Sequence, residues 1–445
     1  MANSRKSKSD LQERVADTLS SVVPRGSSLL LGLSGGVDSV VLLHLLAQLS
    51  PRFSWNISAL HVHHGISAHA ESWAAFCTVL CAKYSIPLQV ERVDINPLRA
   101  MGIEAAARQL RHAALARQKV DFIALAHHRD DQAETLLLQL LRGAGVRGAS
   151  AMSVHKPRKD APSLLRPLLD TERGELEAYA SEHGLSWVED DSNEDVSYPR
   201  NFLRHKVLPV LQQRFPAYRT TLARSASHFA EAAELLDELA AQDASHAIEG
   251  ERLSVAALRL LSSARGKNLL RYFLAARGAP IPDTTRLTEM LRQLCVAGEG
   301  AQIRITWQDW QLRSYQEHAY ALPVTLPAAD FSIVWQGEAE VILPGSHGVL
   351  HFERVTGQGL SMARLQQAAV TLRPRHGSEH IKLDDARPRQ SLRNLLQQQG
   401  VPPWQRERLP LLYCGDELVL VPGVASASAY AALADEAGVL VRWQY

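Results

Sequence analysis

The sequence has few cysteines and no long apolar run. Its 445 residues include four cysteines, at positions 77, 81, 295 and 414, without a Cys-x-x-Cys pair. Cysteines this few and scattered do not build a disulfide framework. The polar, basic first ten residues lack the apolar core of a signal peptide, and no segment approaches the length of a transmembrane helix. We therefore expect a soluble, cytoplasmic protein without a membrane partner.

A large net charge is also absent, because the formal charge at pH 7 is +1. Overall composition therefore does not indicate a nucleic-acid-binding protein. The basic residues are unevenly spread, however: between 373 and 408, eight Lys and Arg face four Asp and Glu. This segment suits either a phosphate backbone or a solvated basic face without a partner.

The first two hundred residues alternate strand and helix. Apolar strand patterns occur at 27–33, 57–62, 88–93 and 122–126, with helical patterns at 68–84 and 104–118 between them. Such alternation predicts an α/β fold with a doubly wound parallel sheet and ligands at the carboxyl ends of the strands. The whole chain is long enough for two or three domains.

A Walker A loop and a dinucleotide-binding glycine motif are both missing, which leaves a motor or GTPase function without support. In their place, the segment Ser34-Gly35-Gly36-Val37-Asp38-Ser39 joins a strand pattern to a helical pattern. The two glycines let the backbone approach an anion, while the serine hydroxyls and the helix N-terminus favour negative charge. The segment predicts a pyrophosphate site; a plain turn that starts a helix is the alternative.

This segment resembles the PP-loop of the N-type ATP pyrophosphatases. The resemblance implies that residues 34–39 bind ATP, which is cleaved between its α and β phosphates. It also implies that Asp38 holds Mg²⁺ on those phosphates.

A second polar segment follows the strand pattern at 122–126. It runs from His127 to Thr135, and Asp131 and Glu134 share one face of the helix that begins there. Capping of the helix explains such acidic residues without any function. Carboxylates also suit Mg²⁺ or the ammonium groups of an amino acid, and histidines beside them favour a functional site.

Three arginines complete the candidate site. Arg111 lies on the helical pattern at 104–118, and an ion pair between Glu104 and Arg108 on that helix leaves it able to reach phosphate. Arg200 and Arg204 are one helical turn apart, which suits a triphosphate or an RNA backbone.

Together these motifs resemble the bacterial tRNA(Ile)-lysidine synthetase family over almost the whole chain. The resemblance is carried by residues 34–39, His61 to Gly65, His127 to Thr135, Arg166 to Leu169, Asp191-Ser192-Asn193, Arg200 to Arg204, and C-terminal motifs around Arg373, Arg393 and Trp404. His63 and Ser67 depart from the commoner pattern of asparagine and arginine, so any contact made by that arginine is in doubt.

The resemblance implies four segments: a catalytic domain at 1–215, a helical middle domain at 216–325, a β-rich linker at 326–365 and a smaller α+β tRNA-binding domain at 366–445. It implies ATP-dependent adenylation of the wobble cytidine in the CAU anticodon of an isoleucine tRNA, followed by attack of L-lysine. No stable protein partner is implied.

Roles for individual residues follow from the same resemblance. Catalysis is expected from Asp38, Asp131, His128, Arg111 and Arg200, and substrate binding from Asp130, Glu134, Arg204, Arg373, Arg375, Arg393 and Trp404.

Three other functions compete with this one. A tRNA thiolation enzyme would share the ATP loop, but the cytidine-thiolating type carries Cys-x-x-Cys pairs. A small-molecule amide ligase would not need the basic C-terminal segment. A non-catalytic tRNA-binding protein would not need the acidic residues at 38, 130 and 131.

Overall fold

The computed structural model describes residues 10–67, 69–158, 161–189, 194–298, 301–324, 329–384 and 388–444. The motif at 191–193 and Arg387 of the basic segment lie outside these residues, as does the side chain of Glu104. The chain divides into two compact units, residues 1–236 and 237–445. None of the described helices is long and apolar enough to cross a membrane.

The first unit contains helices on both sides of one sheet. Its elements are α1 (Leu11–Ser20), β1 (Ser28–Gly32), α2 (Val37–Phe53), β2 (Asn56–His63), α3 (Ala70–Lys83), β3 (Leu88–Arg92), α4 (Ile103–Ala116), β4 (Phe122–Ala124), α5 (Arg129–Leu141), α6 (Val146–Ala149), β5 (His155–Lys156), β6 (Ser163–Leu165), α7 (Arg173–Glu182), α8 (Pro199–Phe202), α9 (Leu208–Arg214) and α10 (Tyr218–Ala247). A π-helical turn, Leu203–Val207, connects α8 to α9.

The sheet confirms the predicted α/β fold. Its strand order is β3-β2-β1-β4-β6-β5, and all neighbouring pairs are parallel except β5 with β6. Leu29 and Leu31 of β1 belong to the core on one face, while Leu30 packs into the core on the other. Because β1 is buried on both faces, its sequence is a continuous apolar run. The carboxyl ends of β1, β2, β4 and β6 consequently meet at one edge.

The chain from residue 208 to residue 247 forms two helices, α9 and α10. Pro216 lies at the break between them, where a proline disfavours helical backbone in the residue before it. Tyr218, Leu222 and Ala226, spaced by four residues along α10, pack in apolar clusters with residues of α5. The beginning of α10 therefore belongs to the first unit.

The second unit begins with a helical region that also carries a sheet. Its elements are β7 (Ile248–Glu249), β8 (Arg252–Ser254), α11 (Val255–Leu260), α12 (Ser263–Ala276), α13 (Thr284–Val296), β9 (Arg304–Trp307), β10 (Trp310–Tyr315) and β11 (His318–Pro323). The five strands have the order β7-β8-β11-β10-β9. The resemblance implied a helical domain here and did not include this sheet.

The rest of the second unit is rich in β-structure. Its elements are β12 (Ile333–Val334), β13 (Glu340–Ile342), β14 (Val349–Thr356), β15 (Leu360–Ser361), α14 (Met362–Leu365), β16 (Val370–Pro374), β17 (His380–Ile381), β18 (Gln390–Ser391), α15 (Leu392–Gln398), α16 (Pro403–Arg406), β19 (Pro410–Cys414), β20 (Glu417–Val421), β21 (Ala425–Ser426) and β22 (Ala437–Gln444). These strands form two sheets and one two-stranded pair. The sheets have the strand orders β12-β16-β19-β20-β21 and β13-β14-β22-β15, and the pair consists of β17 and β18.

Candidate active site

The loop between β1 and α2 is shaped by internal hydrogen bonds. Ser39 Oγ accepts from the Gly35 N–H at 3.1 Å and donates to the Gly36 carbonyl at 2.9 Å. Gly35 has a φ of +93°, and a Cβ there would lie 2.8 Å from Val188 Cγ2. This position therefore requires glycine. Ser39 organises the loop, while the first N–H groups of α2 remain for an anion because a helix N-terminus cannot pair them internally.

Asp38 lies in the first turn of α2. Its Oδ1 atom is buried and has no hydrogen-bond partner among the described residues, and its Oδ2 atom lies 3.7 Å from His128 Nε2. Burial raises the pKa of the Asp38 carboxyl, and the neighbouring Asp131 adds to this against the opposing effect of His128. A buried carboxylate oxygen without a donor fits a hard cation such as Mg²⁺.

His128 links the carboxylates of the site. Its side chain is 2% exposed, and its ring nitrogens lie 3.6 Å from Asp130 Oδ2 and 3.5 Å from Asp131 Oδ2. Burial alone would lower the pKa of His128, but Asp130, Asp131 and Asp38 together outweigh burial and raise it. The raised pKa favours the protonated imidazole, and the positive charge of that form reduces the repulsion between Asp38 and Asp131.

The predicted carboxylates and the predicted arginines bind each other. Glu134 is 1% exposed, and its Oε1 and Oε2 accept from Arg204 Nε and Arg200 Nε, both at 2.7 Å. Asp131 Oδ1 accepts from Arg200 Nη2 at 2.7 Å, and its Oδ2 accepts from the His128 backbone N–H at 3.0 Å, which caps α5. The Asp131 carboxylate therefore both caps α5 and pairs with an arginine.

Asp130 was expected to bind substrate, but its carboxylate pairs with other residues of the protein. Its carboxylate pairs with Arg219 of α10 and accepts from the Arg173 backbone N–H at 3.2 Å. Burial would raise the pKa of Asp130, but His128 and Arg219 hold it far below its usual range. Asp130 thus joins α5 to α7 and α10. Sequence analysis missed Arg219 and Arg173, and no motif marks either of them.

Arg111 is exposed on α4 near a different part of the same edge. Its charge lies close to His64, which follows β2. Burial, followed by Arg111, lowers the pKa of His64 to about 4. Arg111 therefore lies near the end of β2, at the carboxyl edge of the sheet.

The remaining expected substrate residues lie in the second unit. Arg393 is exposed, whereas the Arg373 guanidinium covers the Tyr413 ring at 4.8 Å and Arg375 faces Glu379 at 3.7 Å. Trp404 is 5% exposed and packs on Tyr320 and Tyr315, with ring centroids 5.1 and 6.3 Å apart. Its ring supports the interior of this unit and presents no open face to a base.

A parallel sheet with a glycine loop, a helix N-terminus and a carboxylate cluster at one edge defines an ATP-using domain of the PP-loop class. A family model described as PP-loop domain matches residues 6–211. Models of the TilS substrate binding domain and the TilS substrate C-terminal domain match residues 253–320 and 370–443.

Relatives of similar length identify the family. A tRNA(Ile)-lysidine synthase of Nitrosomonas europaea is 44% identical over 447 aligned residues, which cover 100% of this chain and 98% of the relative. Another, of Azoarcus sp., is 41% identical over 94% of this chain and 92% of its own length. The chain belongs to the tRNA(Ile)-lysidine synthase family, which confirms the resemblance stated from the motifs.

Proposed function

We propose that this protein is a ligase that forms lysidine from the wobble cytidine of an isoleucine tRNA with a CAU anticodon. L-lysine and ATP are the other substrates, AMP and pyrophosphate are the products, and the modified tRNA reads AUA instead of AUG. The observation that carries the proposal is the match to lysidine synthases over all of the chain. Because tRNA, ATP and lysine are cytoplasmic, we place the activity there.

In the first step, the C2 carbonyl oxygen of cytidine attacks the α-phosphorus of ATP and pyrophosphate leaves. The N–H groups at the start of α2 and the loop around Gly35 stabilise the charge on the departing phosphates. Asp38 would hold Mg²⁺ through its unpartnered Oδ1, and the bound ion would neutralise phosphate charge. His128 keeps Asp38 and Asp131 together at this position.

In the second step, the ε-amine of lysine attacks C2 and AMP leaves with the C2 oxygen. Asp131 and Glu134 bind the ammonium groups of lysine and take up the proton that the attacking amine loses. These oxygens also pair with Arg200 and Arg204. Lysine therefore shares these oxygens with the two guanidinium groups, which also suit phosphate or cytidine.

Incorporation of labelled lysine into an unmodified CAU isoleucine tRNA, with ATP and Mg²⁺, tests the proposal. We expect incorporation by the wild type, and a loss of about 100-fold or more in Asp38→Asn. Asp17→Asn, which removes an exposed carboxylate from α1, is the matched control and should retain full activity. An initiator methionine tRNA should accept no lysine.

The same assay separates the competing functions. Pyrophosphate release that depends on tRNA but yields no lysine incorporation would retain the adenylation step and assign a different nucleophile. Binding of tRNA without pyrophosphate release would contradict an enzymatic role.

A further inference from the structure

A second group of basic side chains in the first unit consists of three arginines and one histidine. Arg108 and His112 lie one helical turn apart on α4, and Arg166 directly follows β6 at the carboxyl edge. Arg158 lies two residues after β5, which runs antiparallel to β6. Burial lowers the pKa of His112 to about 4, and the charges of Arg108, Arg158 and Arg166 contribute to this shift. These four side chains therefore form one electrostatic cluster.

Arg166 is the most buried arginine of this cluster, at 7% exposure. Its Nη1 donates to the Ser153 carbonyl at 2.9 Å, but its Nε is buried and has no hydrogen-bond partner among the described residues. The Nε of Arg158 is also buried and has no hydrogen-bond partner among the described residues. Burial, then Arg108 and Arg158, lower the pKa of Arg166 to about 10.

The carboxylate cluster provides a contrast within the same unit. There, Asp130, Asp131 and Glu134 each have an arginine partner. By contrast, no carboxylate of the described residues lies within ion-pair distance of Arg158 or Arg166. Burying a cation beside like charges is costly unless an anion accompanies it, so the Arg158 and Arg166 guanidinium groups are suited to an anion supplied from outside the chain.

The sheet order indicates which anion fits. Arg166 follows β6, and β6 is separated from β1 only by β4. Two strand spacings place the end of β6 about 10 Å from the end of β1. The loop after β1 is the binding site for the phosphates of ATP. A nucleotide whose base reacts at that loop has its own backbone phosphate about 10 Å from the reacting atoms, which is the separation between the ends of β1 and β6.

We infer that Arg108, His112, Arg158 and Arg166 form a binding site for a backbone phosphodiester of the RNA strand that carries the modified cytidine. The inference rests on the proposed function for the identity of the RNA. It assigns the guanidinium groups of Arg158 and Arg166 to the phosphate oxygens, which such groups bind with charge-assisted hydrogen bonds.

The test is the salt dependence of tRNA binding by the full chain. We would measure filter binding of the unmodified CAU isoleucine tRNA between about 50 and 200 mM salt. In Arg158→Gln and in Arg166→Gln, the slope of log K against log salt should become shallower by about 0.7 to 0.9, the value for one phosphate contact. The KM for tRNA should rise about tenfold, while the KM for ATP stays unchanged.

Arg25→Gln is the matched control. It removes the same charge from an exposed residue that precedes β1, at the amino edge of the sheet, and its slope should equal that of the wild type. Because Arg158 is less buried than Arg166, Arg158→Gln tests the site even if Arg166→Gln fails to fold.

Wild-type slopes in both variants would overturn the inference. A raised KM for ATP with unchanged tRNA binding would also overturn it and assign the anion to the nucleotide. If the wild type binds tRNA but attaches no lysine, the proposed function fails while the slopes still decide the phosphate site. Absence of tRNA binding in the wild type would contradict both.

Discussion

His127 and His128 are neighbours in the chain, yet their pKa values shift in opposite directions. Burial lowers the pKa of His127 to about 3, and the charges of Arg166, Arg200 and Arg108 add to this against Asp131. For His128, burial is outweighed by three carboxylates, and the pKa rises. Two histidines that are adjacent in the chain thus have opposite pKa shifts, because His127 lies near arginines and His128 lies among carboxylates.

These shifts predict two opposite effects of pH on stability. Between about pH 6.5 and 3, unfolded His127 binds a proton that the folded protein does not, so the free energy of unfolding falls on acidification by up to about 1.4 kcal/mol per pH unit. The stabilisation from His128 is complete below about pH 6.5 and is lost as the pH rises through its raised folded pKa.

Urea unfolding followed by circular dichroism between about pH 5 and 9 measures both effects. His127→Asn should flatten the decline on the acidic side, and His128→Asn should flatten the decline on the alkaline side. Curves for both variants that run parallel to the wild type would show that neither imidazole is linked to folding in this way.

Glu134 has the strongest charge pairing of the site, because its buried carboxylate accepts from both Arg200 and Arg204. Glu134→Gln keeps the size and shape of the side chain but removes its negative charge. The partly exposed guanidinium groups of Arg200 and Arg204 then have one carboxylate partner fewer. We expect the free energy of unfolding to fall by about 2 to 3 kcal/mol and the KM for lysine to rise.

Glu289→Gln is the control for Glu134, since it breaks an exposed pair with Arg292 on α13. Urea unfolding should show no measurable change for this variant, and its KM for lysine should equal that of the wild type. Wild-type stability and lysine KM in Glu134→Gln would show that the buried pairing is unimportant.

At the scale of the elements, α15 and α16 contribute differently to the second unit. Trp404 of α16 packs its ring on Tyr320 and Tyr315 and beneath the Arg313 guanidinium, whereas Arg393 of α15 is exposed. Trp404→Ala should lower the free energy of unfolding by about 3 to 5 kcal/mol. Arg393→Gln should leave stability unchanged and make the salt slope of tRNA binding shallower. Unchanged stability in Trp404→Ala would mean that its ring carries no packing energy.

The elements that sequence patterns predicted correctly are those defined over short distances. The strand, loop and helix around Gly35 lie within one continuous segment, as do Asp131 and Glu134 on α5. Ion pairs between distant residues were not predictable, because periodicity does not report on them. Arg200 and Glu134 are 66 residues apart, and Arg219 and Asp130 are 89 residues apart. The roles expected for Arg200 and Arg204 at phosphate therefore remain predictions.

Strand pairing limits sequence analysis in the same way. β12 and β13 are two and three residues long, too short for an alternating pattern, and β12 pairs with β16 beyond the intervening hairpin region. The middle sheet likewise joins β8 to β11 across three helices. Such pairings depend on the tertiary fold, which determines where a short edge strand can form.

At the scale of the whole molecule, the topology determines where the chain can be cut. β14 pairs along its full length with β22, from Val349↔Gln444 to Thr356↔Ala437. A deletion that starts at residue 370 would therefore remove β16, the partner of β12, and β22, a partner of both β14 and β15. The boundary between the compact units, at Leu236 and Asp237, lies inside α10, so a fragment that ends with α10 at residue 247 retains the complete helix.

We predict that this fragment, residues 1–247, binds ATP like the full chain but has lost most of its affinity for tRNA. The first unit has its own core around β1 and α2, and its loop donors come from that unit alone, so the Kd for ATP should agree within about twofold. The basic segment at 373–408 is missing from the fragment. The slope of log K against log salt for tRNA binding should therefore become shallower by an amount that corresponds to several phosphate contacts.

Calorimetry with ATP and filter binding with tRNA measure the two quantities. Asp38→Asn in the fragment is the control for Mg²⁺-dependent ATP binding. Undiminished tRNA affinity would place recognition in the first unit, and lost ATP affinity in a folded fragment would show that the second unit completes the nucleotide site.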